Sequence, residues 1–427
     1  MVKLSTAHTT KAISMAMINS NQPGETTPMG AKVTTCGLMQ CLDESARLLG
    51  WKDSHGQGRS KKRGVGVASL VHVGGSGRIY RSDGGGVILK LDDYGNVNVS
   101  YGGVEMGQGL HSALTLTVAD AVGVRPDKVF INPTDTATCP WDVGTHASRG
   151  AFVGCNAALM AAKKVRDKLF ACATEIYPRE VQKNLERYQR AHPGYLPPAG
   201  FDVALAARPD RFELRDGVLS LNGDVPDEPW LRLELGRLLR AMHFRGSAGQ
   251  MVVAEAFYEP PSELPDWEKG VGNMSATYTY GVQAVEVEVD EETGEVAILR
   301  AVSVHDVGKV LNRQTLMGQV IGGFAQGVGF ALYEQVLTER GRILNPSFTD
   351  YKIPTIAEMD FPLEVAFIET DDDAGPFGAK GVGEPGLVPT APAIANAIYD
   401  AIGVRMRHLP MTPERVLAAI DERDRCR

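Results

Sequence analysis

Three glycine-rich segments hold the residues with which this chain of 427 could do chemistry. In Gly375-Pro-Phe-Gly-Ala-Lys-Gly-Val-Gly-Glu-Pro-Gly386 one carboxylate, Glu384, stands between a glycine and a proline. The proline fixes the backbone and the glycine leaves the side chain uncrowded, which is how a general base is held. The plainer reading is a loop glutamate in water. In Gly102-Gly-Val-Glu-Met-Gly-Gln-Gly109 glycines on both sides of Gln108 let backbone approach a ligand, and the helix start just beyond offers N–H groups to an anion. A structural glycine corner would give the same pattern. In Val143-Gly-Thr-His-Ala-Ser-Arg-Gly-Ala151 small residues enter a helix. Thr145 or Ser148 there could be an N-cap, or the turn a phosphate cradle, although a P-loop lysine is lacking.

The elements that position these segments repeat one plan. Residues 87–100 alternate apolar and polar around a turn at 93–96 and predict a hairpin. It runs through the Gln108 corner into a helix carrying Leu110, Leu114, Val118 and Val122. Residues 284–299 predict a second hairpin, turning at 291–294, which leads through Val304-His-Asp-Val-Gly308 into a helix that contains Gln319. Hairpin, glycine corner, glutamine and helix thus occur twice, and the expected fold is α+β: two related α/β subdomains from a divergent internal repeat. Between them come a helix over about 151–176 and a charged, Pro-rich, variable stretch over about 177–269 with a weak strand at 217–221. Helices are also expected over 37–49, near 392–401, and from Pro413 with Thr412 as N-cap; a strand is expected over 64–73. The expected division is a 1–62 extension and linker that packs on partner chains, a 63–270 subdomain and a 271–427 subdomain.

The chain is long enough for two or three cores, and with 43% hydrophobic and 22% charged residues it reads as globular. A net charge of -8 argues against a nucleic-acid groove or an anionic membrane as partner, and the short basic run Arg59-Ser-Lys-Lys-Arg63 reads as a solvated loop. Six scattered cysteines with no CxxC pair argue against a zinc site or a disulfide framework and fit a reducing cytoplasm. No apolar run of about 18 residues is read, so no membrane span is expected.

Taken in order, Gly102-Gly-Val-Glu-Met-Gly-Gln-Gly109, Ala147-Ser148, Val304-His-Asp-Val-Gly308, Gly318-Gln-Val-Ile-Gly-Gly-Phe-Ala-Gln-Gly327, Asp350-Tyr-Lys-Ile-Pro-Thr355 and Gly381-Val-Gly-Glu-Pro385 resemble the C-terminal half of the molybdenum-binding subunit of the xanthine oxidase family. The opening Thr35-Cys-Gly-Leu-Met-Gln-Cys-Leu-Asp43 and the stretch around Asn273-Met-Ser-Ala276 look closest to the 4-hydroxybenzoyl-CoA reductase large subunit. The resemblance implies a molybdenum-pyranopterin cofactor, in the cytosine dinucleotide form, bound with no protein ligand to the metal. Gln108 and Gln319 match pterin-contacting glutamines, Ala147 a small residue close to the metal, Ser148 a cofactor-contacting serine and Glu384 the catalytic base. Gly107, Gly109, Arg149, Lys380, Gly381, Val382 and Gly383 complete the implied cofactor shell.

The family's motifs from the first half of that subunit are absent, so the resemblance implies a partner polypeptide that carries them, with further subunits for 2Fe-2S clusters and FAD. The implied reaction puts water-derived oxygen on an electron-poor sp2 carbon of an aromatic, N-heterocyclic or aldehyde substrate. Glu384 must then be ionised at rest; burial would raise its pKa, and Lys380 is the expected counter-charge. Two rivals stay open: reductive dehydroxylation of an aryl-CoA thioester, and a non-catalytic structural subunit.

Overall fold

The computed structural model of the chain describes residues 20–50, 62–244 and 249–425. Residues 1–19, most of the basic run 59–63 and Cys426 lie outside the described residues. In chain order the elements of interest begin with α1 (Leu38–Leu49), β1 (Lys62–Val73), β2 (Gly85–Leu91), β3 (Val97–Tyr101), α2 (Leu110–Val122), β4 (Val129–Ile131) and α3 (Gly150–Ala191). There follow β5 (Val253–Tyr258), β6 (Tyr278–Val289), β7 (Val296–Asp306), α4 (Arg313–Leu332), β8 (Leu363–Ile368), α5 (Thr390–Ile402) and α6 (Pro413–Arg425). They fall into two compact units. Unit one comprises the described residues up to Ile79, His146–Arg149 and Pro261 onward; unit two comprises Tyr80–Thr145 and Gly150–Pro260.

Unit one is built on a four-stranded sheet ordered β1-β6-β7-β8. Nearly every residue of β6 is buried, because helices cover both faces of the sheet. Tyr278, Tyr280, Val282 and Ala284 point to one side and pack with Cys41, Leu42 and Leu49 of α1. Val285, Val287 and Val289 point to the other and pack with α4, α5 and α6. The fit of α5 on β1 explains a glycine in mid-strand: a Cβ on Gly66 would lie 2.1 Å from the Ala393 carbonyl oxygen. Unit two carries a second four-stranded sheet, ordered β4-β3-β2-β5, with α2 and α3 against it. A three-stranded sheet, Phe212–Arg215, Val218–Leu221 and Leu233–Glu234, belongs to the same unit.

The two large sheets share one topology. In each, an antiparallel hairpin (β2-β3, β6-β7) leads through a corner and a helix to a strand parallel to the hairpin's second arm. A further strand, β5 or β1, pairs antiparallel with the first arm. The internal repeat therefore extends beyond hairpin and helix to four strands.

The structure corrects several expectations. Strand β1 pairs along its whole length with β6, so a division at 270/271 cuts across the sheet. Helix α1 packs on the sheet of unit one, so that part of the expected 1–62 extension belongs to the core of that unit. Helix α3 runs on to Ala191, through Pro178, because Tyr177, Val181 and Leu185 continue its buried face; their packing outweighs a penalty of about 3 kcal/mol for an internal proline. Strands β5 and β8 carry no signal strong enough to read from sequence, and β5 lies in the stretch expected to be variable. Helix α4 is long and apolar enough to cross a membrane by length and composition, contrary to expectation. Its Phe324, Val328, Ala331 and Leu332 sit in the core, as in the interior helix of a globular domain.

Candidate functional site

Glu384 stands on a loop pinned at both ends from β6. Thr279 donates its hydroxyl to the Gly381 carbonyl at 2.9 Å, and Gln283 donates to the Gly386 carbonyl at 2.7 Å. Gln283 is itself buried and held by Ser303 and Thr390. From α4, Gln319 donates to the Gly383 carbonyl at 2.5 Å. The loop runs so close to Ser148 that a Cβ on Gly381 would lie 2.1 Å from the Ser148 carbonyl oxygen. Ala147 and Ser148 in turn hold φ of 48° and 56°, a left-handed pair that non-glycine residues adopt only under constraint. That pair directs Ser148 at the glutamate. Its hydroxyl accepts from the Glu384 backbone N–H at 2.9 Å and donates to Oε2 at 2.8 Å. A hydroxyl so engaged does not cap α3, so the N-cap expectation for Ser148 fails.

His72, at the end of β1, places Nε2 3.1 Å from the same Oε2. The His72 hydrogen bond is the foremost cause that holds the Glu384 carboxyl below the usual carboxylate range. Burial opposes it, while the Ser148 hydroxyl and charge on His72 and His146 act with it. The side chain is half exposed (51%), so the carboxylate is ionised near neutrality yet open to a reactant.

Lys380 does not supply this charge. Its ammonium pairs with Asp306 at 2.7 Å, both side chains fully buried, because an ammonium out of water must take the carboxylate buried beside it. Asp306 also accepts from the backbone N–H groups of Gly37 and Gly308 and from Thr370. Arg149 is likewise fully buried, and Val382 is half-buried in the base loop. Ala147, Ser148, Gln319, Gly381, Gly383 and Glu384 are thus brought together in unit one, with His72 as the member that sequence reasoning missed. Its signal was available: His72 stands two residues before a glycine pair, Gly74-Gly75, of the sort that marked the other three segments.

Gly107, Gln108 and Gly109 belong to unit two. There the expected anion site is already filled from within the loop. The Glu105 carboxylate accepts from the N–H groups of Gly107, Gly109 and His111 at 2.8–3.0 Å. Burial pushes this carboxyl up, and the three N–H groups outweigh it, leaving it below its ordinary value. Gln108 folds back on its loop, accepting from the Met106 N–H and donating to the Val104 carbonyl. It keeps one amide hydrogen and one carbonyl lone pair for a ligand, and Gln319 likewise keeps an amide hydrogen. Within unit one, the unspent Gln319 amide hydrogen beside the base loop fits a polar organic group held by hydrogen bonds.

Comparison with known proteins gives a consistent picture. Residues 42–360 match the family described as a molybdopterin cofactor-binding domain. The xanthine dehydrogenase molybdenum-binding subunit of Escherichia coli O157:H7 is 29% identical over 414 residues, covering 95% of this chain and 49% of the relative. The 6-hydroxypseudooxynicotine dehydrogenase complex subunit gamma of Paenarthrobacter nicotinovorans is 32% identical over 382 residues, 88% of this chain and 41% of the relative. Among solved structures, quinoline 2-oxidoreductase from Pseudomonas putida 86 superposes with a TM-score of 0.77 at 23% identity, over 96% of this chain and 49% of that one. The chain spans about half the length of the curated relatives it matches.

Proposed function

The chain belongs to the xanthine oxidase family of molybdopterin-binding subunits, and from that premise we propose that it carries the base-bearing half of a molybdenum hydroxylase. The observation that carries the proposal is an ionised, half-exposed Glu384 on a loop pinned by Thr279, Gln283 and Gln319. The substrate class is an electron-poor sp2 carbon in an aromatic, N-heterocyclic or aldehyde compound. Ser148 and His72 occupy Oε2, which leaves Oε1 to take the proton when water-derived oxygen is passed to substrate. Molybdopterin, in the cytosine dinucleotide form, would supply the two-electron redox chemistry. Ser148, Gln319 and the Gly381–Gly383 backbone would hold it in unit one, with Ala147 packed close. Gln108, between Gly107 and Gly109, is assigned its pterin contact by the family resemblance.

The partner we propose is a second polypeptide that carries the rest of the family's molybdenum domain, alongside 2Fe-2S and FAD subunits. The exposed apolar side chains Val336, Leu337, Ile343, Leu344, Phe348 and Ile356 in unit one support it. Five described cysteines are free, in keeping with a cytoplasmic assembly. The test is turnover of the purified complex in isotopically labelled water, with ferricyanide as acceptor and xanthine, quinoline and benzaldehyde as probes. Label should enter product with no added reductant. Turnover only of a phenolic CoA thioester, and only with a strong reductant, would replace hydroxylation by dehydroxylation. A complex without molybdenum would leave a structural subunit.

A further inference from the structure

The hydrogen bonds around His72 fix where its protons must be. Nδ1 lies 2.8 Å from the Val73 carbonyl oxygen, which can only accept, so Nδ1 carries a hydrogen. A neutral ring would then present a bare lone pair at Nε2, facing Glu384 Oε2 at 3.1 Å. Two lone pairs repel at that distance, so the pair contains one more proton. Ser148 decides its place. Its oxygen accepts from the Glu384 N–H, so its own hydrogen goes to Oε2. An Oε2 that already accepts one hydrogen is a poor place for an acid proton and a good second acceptor.

We propose that His72 and Glu384 form a proton-coupled pair, a doubly protonated imidazole beside a carboxylate, in which His72 is the positioning residue that sets how readily the base gives up its proton. The inference rests on Glu384 acting as base. The other groups that face the carboxylate are His146 and Ser148 on the left-handed turn; the buried Lys380 ammonium is committed to Asp306. Arrangement follows from sequence: β1 pairs through Val73 with Tyr278 at its end, which carries His72 to the mouth of the pinned loop.

Two readouts test the pair on the assembled complex. Solid-state NMR of complex labelled with 15N-histidine reports the protonation of each ring nitrogen, and loss of one resonance in His72→Leu assigns His72 among the nine histidines. Both His72 nitrogens should be protonated at neutral pH in the native complex, and one should lose its proton in Glu384→Gln. The pH profile of kcat/KM, with benzaldehyde, quinoline and xanthine as probes and ferricyanide as acceptor, should move its acid limb up by about one unit or more in His72→Leu, since a cationic donor within hydrogen-bond reach is lost. His72→Gln, which restores a donor without a charge, should recover part of the shift, and molybdenum content should be unchanged in both. A neutral ring in the native complex, or an unmoved acid limb in His72→Leu, overturns the proposal. A doubly protonated ring together with full turnover in Glu384→Gln removes the base assignment, and the positioning role falls with it.

Discussion

The two repeats share strand order, connection and a glycine corner, yet put a corner carboxylate to opposite uses. In unit two, Glu105 turns back on its own loop and satisfies the N–H groups at the start of α2, whose N-cap, Gly109, has no side chain to do so. In unit one, α4 is capped by Asn312, which accepts from the N–H groups of Gln314 and Thr315. That frees Asp306 for the interior, where it ties α1, the 370 segment and the base loop through Gly37, Thr370 and Lys380. One topology thus serves as a locally closed corner in one unit and as the anchor of a long-range loop in the other. The difference lies in which group caps the helix.

The comparison is broken most sharply at Lys380. Lys380→Met strands the Asp306 charge in a dry interior, and should cost ~3–5 kcal/mol of unfolding free energy by denaturant titration. In the other repeat Glu105→Gln removes only a surface cap, for which ~1 kcal/mol is expected. Equal losses would mean that the two corners are energetically alike.

A smaller effect is expected at Asp372, a second buried carboxylate of unit one, which accepts from Thr34, Thr35 and Thr277. Burial alone would raise this carboxyl, but the three hydroxyls and the Ala374 N–H outweigh it and leave it below the usual range. Its stabilising contribution is therefore complete above the ordinary carboxylate value of about 3.9, and is lost as pH falls through the lower folded value. Asp372→Asn should cost ~1–3 kcal/mol at neutral pH. The gap between native and variant should narrow on acidification below about 4; a gap independent of pH would show that the residue acts by packing alone.

What the sequence made legible was local. Both hairpins alternate with period two, the helices α1 and α2 show their apolar faces, and Thr412-Pro413 marks a start, so each could be read from neighbouring residues. What it hid depends on partners far along the chain. Strand β1 is legible over 64–73 as a strand, but its place in the sheet comes from its pairing with β6, some 215 residues later, and β8 is assigned only by its place beside β7. Pro178 signals a helix end, and only packing around Tyr177 overrules it. At the site, Glu384 was legible because glycine and proline flank it. Its partners were not: the nearest cation in sequence, Lys380, is taken by Asp306, while His72 reaches the carboxylate from 312 residues away through the sheet.

The central claim is that Glu384 is the base, and Glu384→Gln tests it directly. The amide keeps the shape, can still accept from Ser148, and cannot take a proton. Because base catalysis contributes ~10²–10⁴-fold, turnover of the complex should fall by that factor while its molybdenum content stays at the native level. Near-native turnover with full molybdenum content would contradict the account.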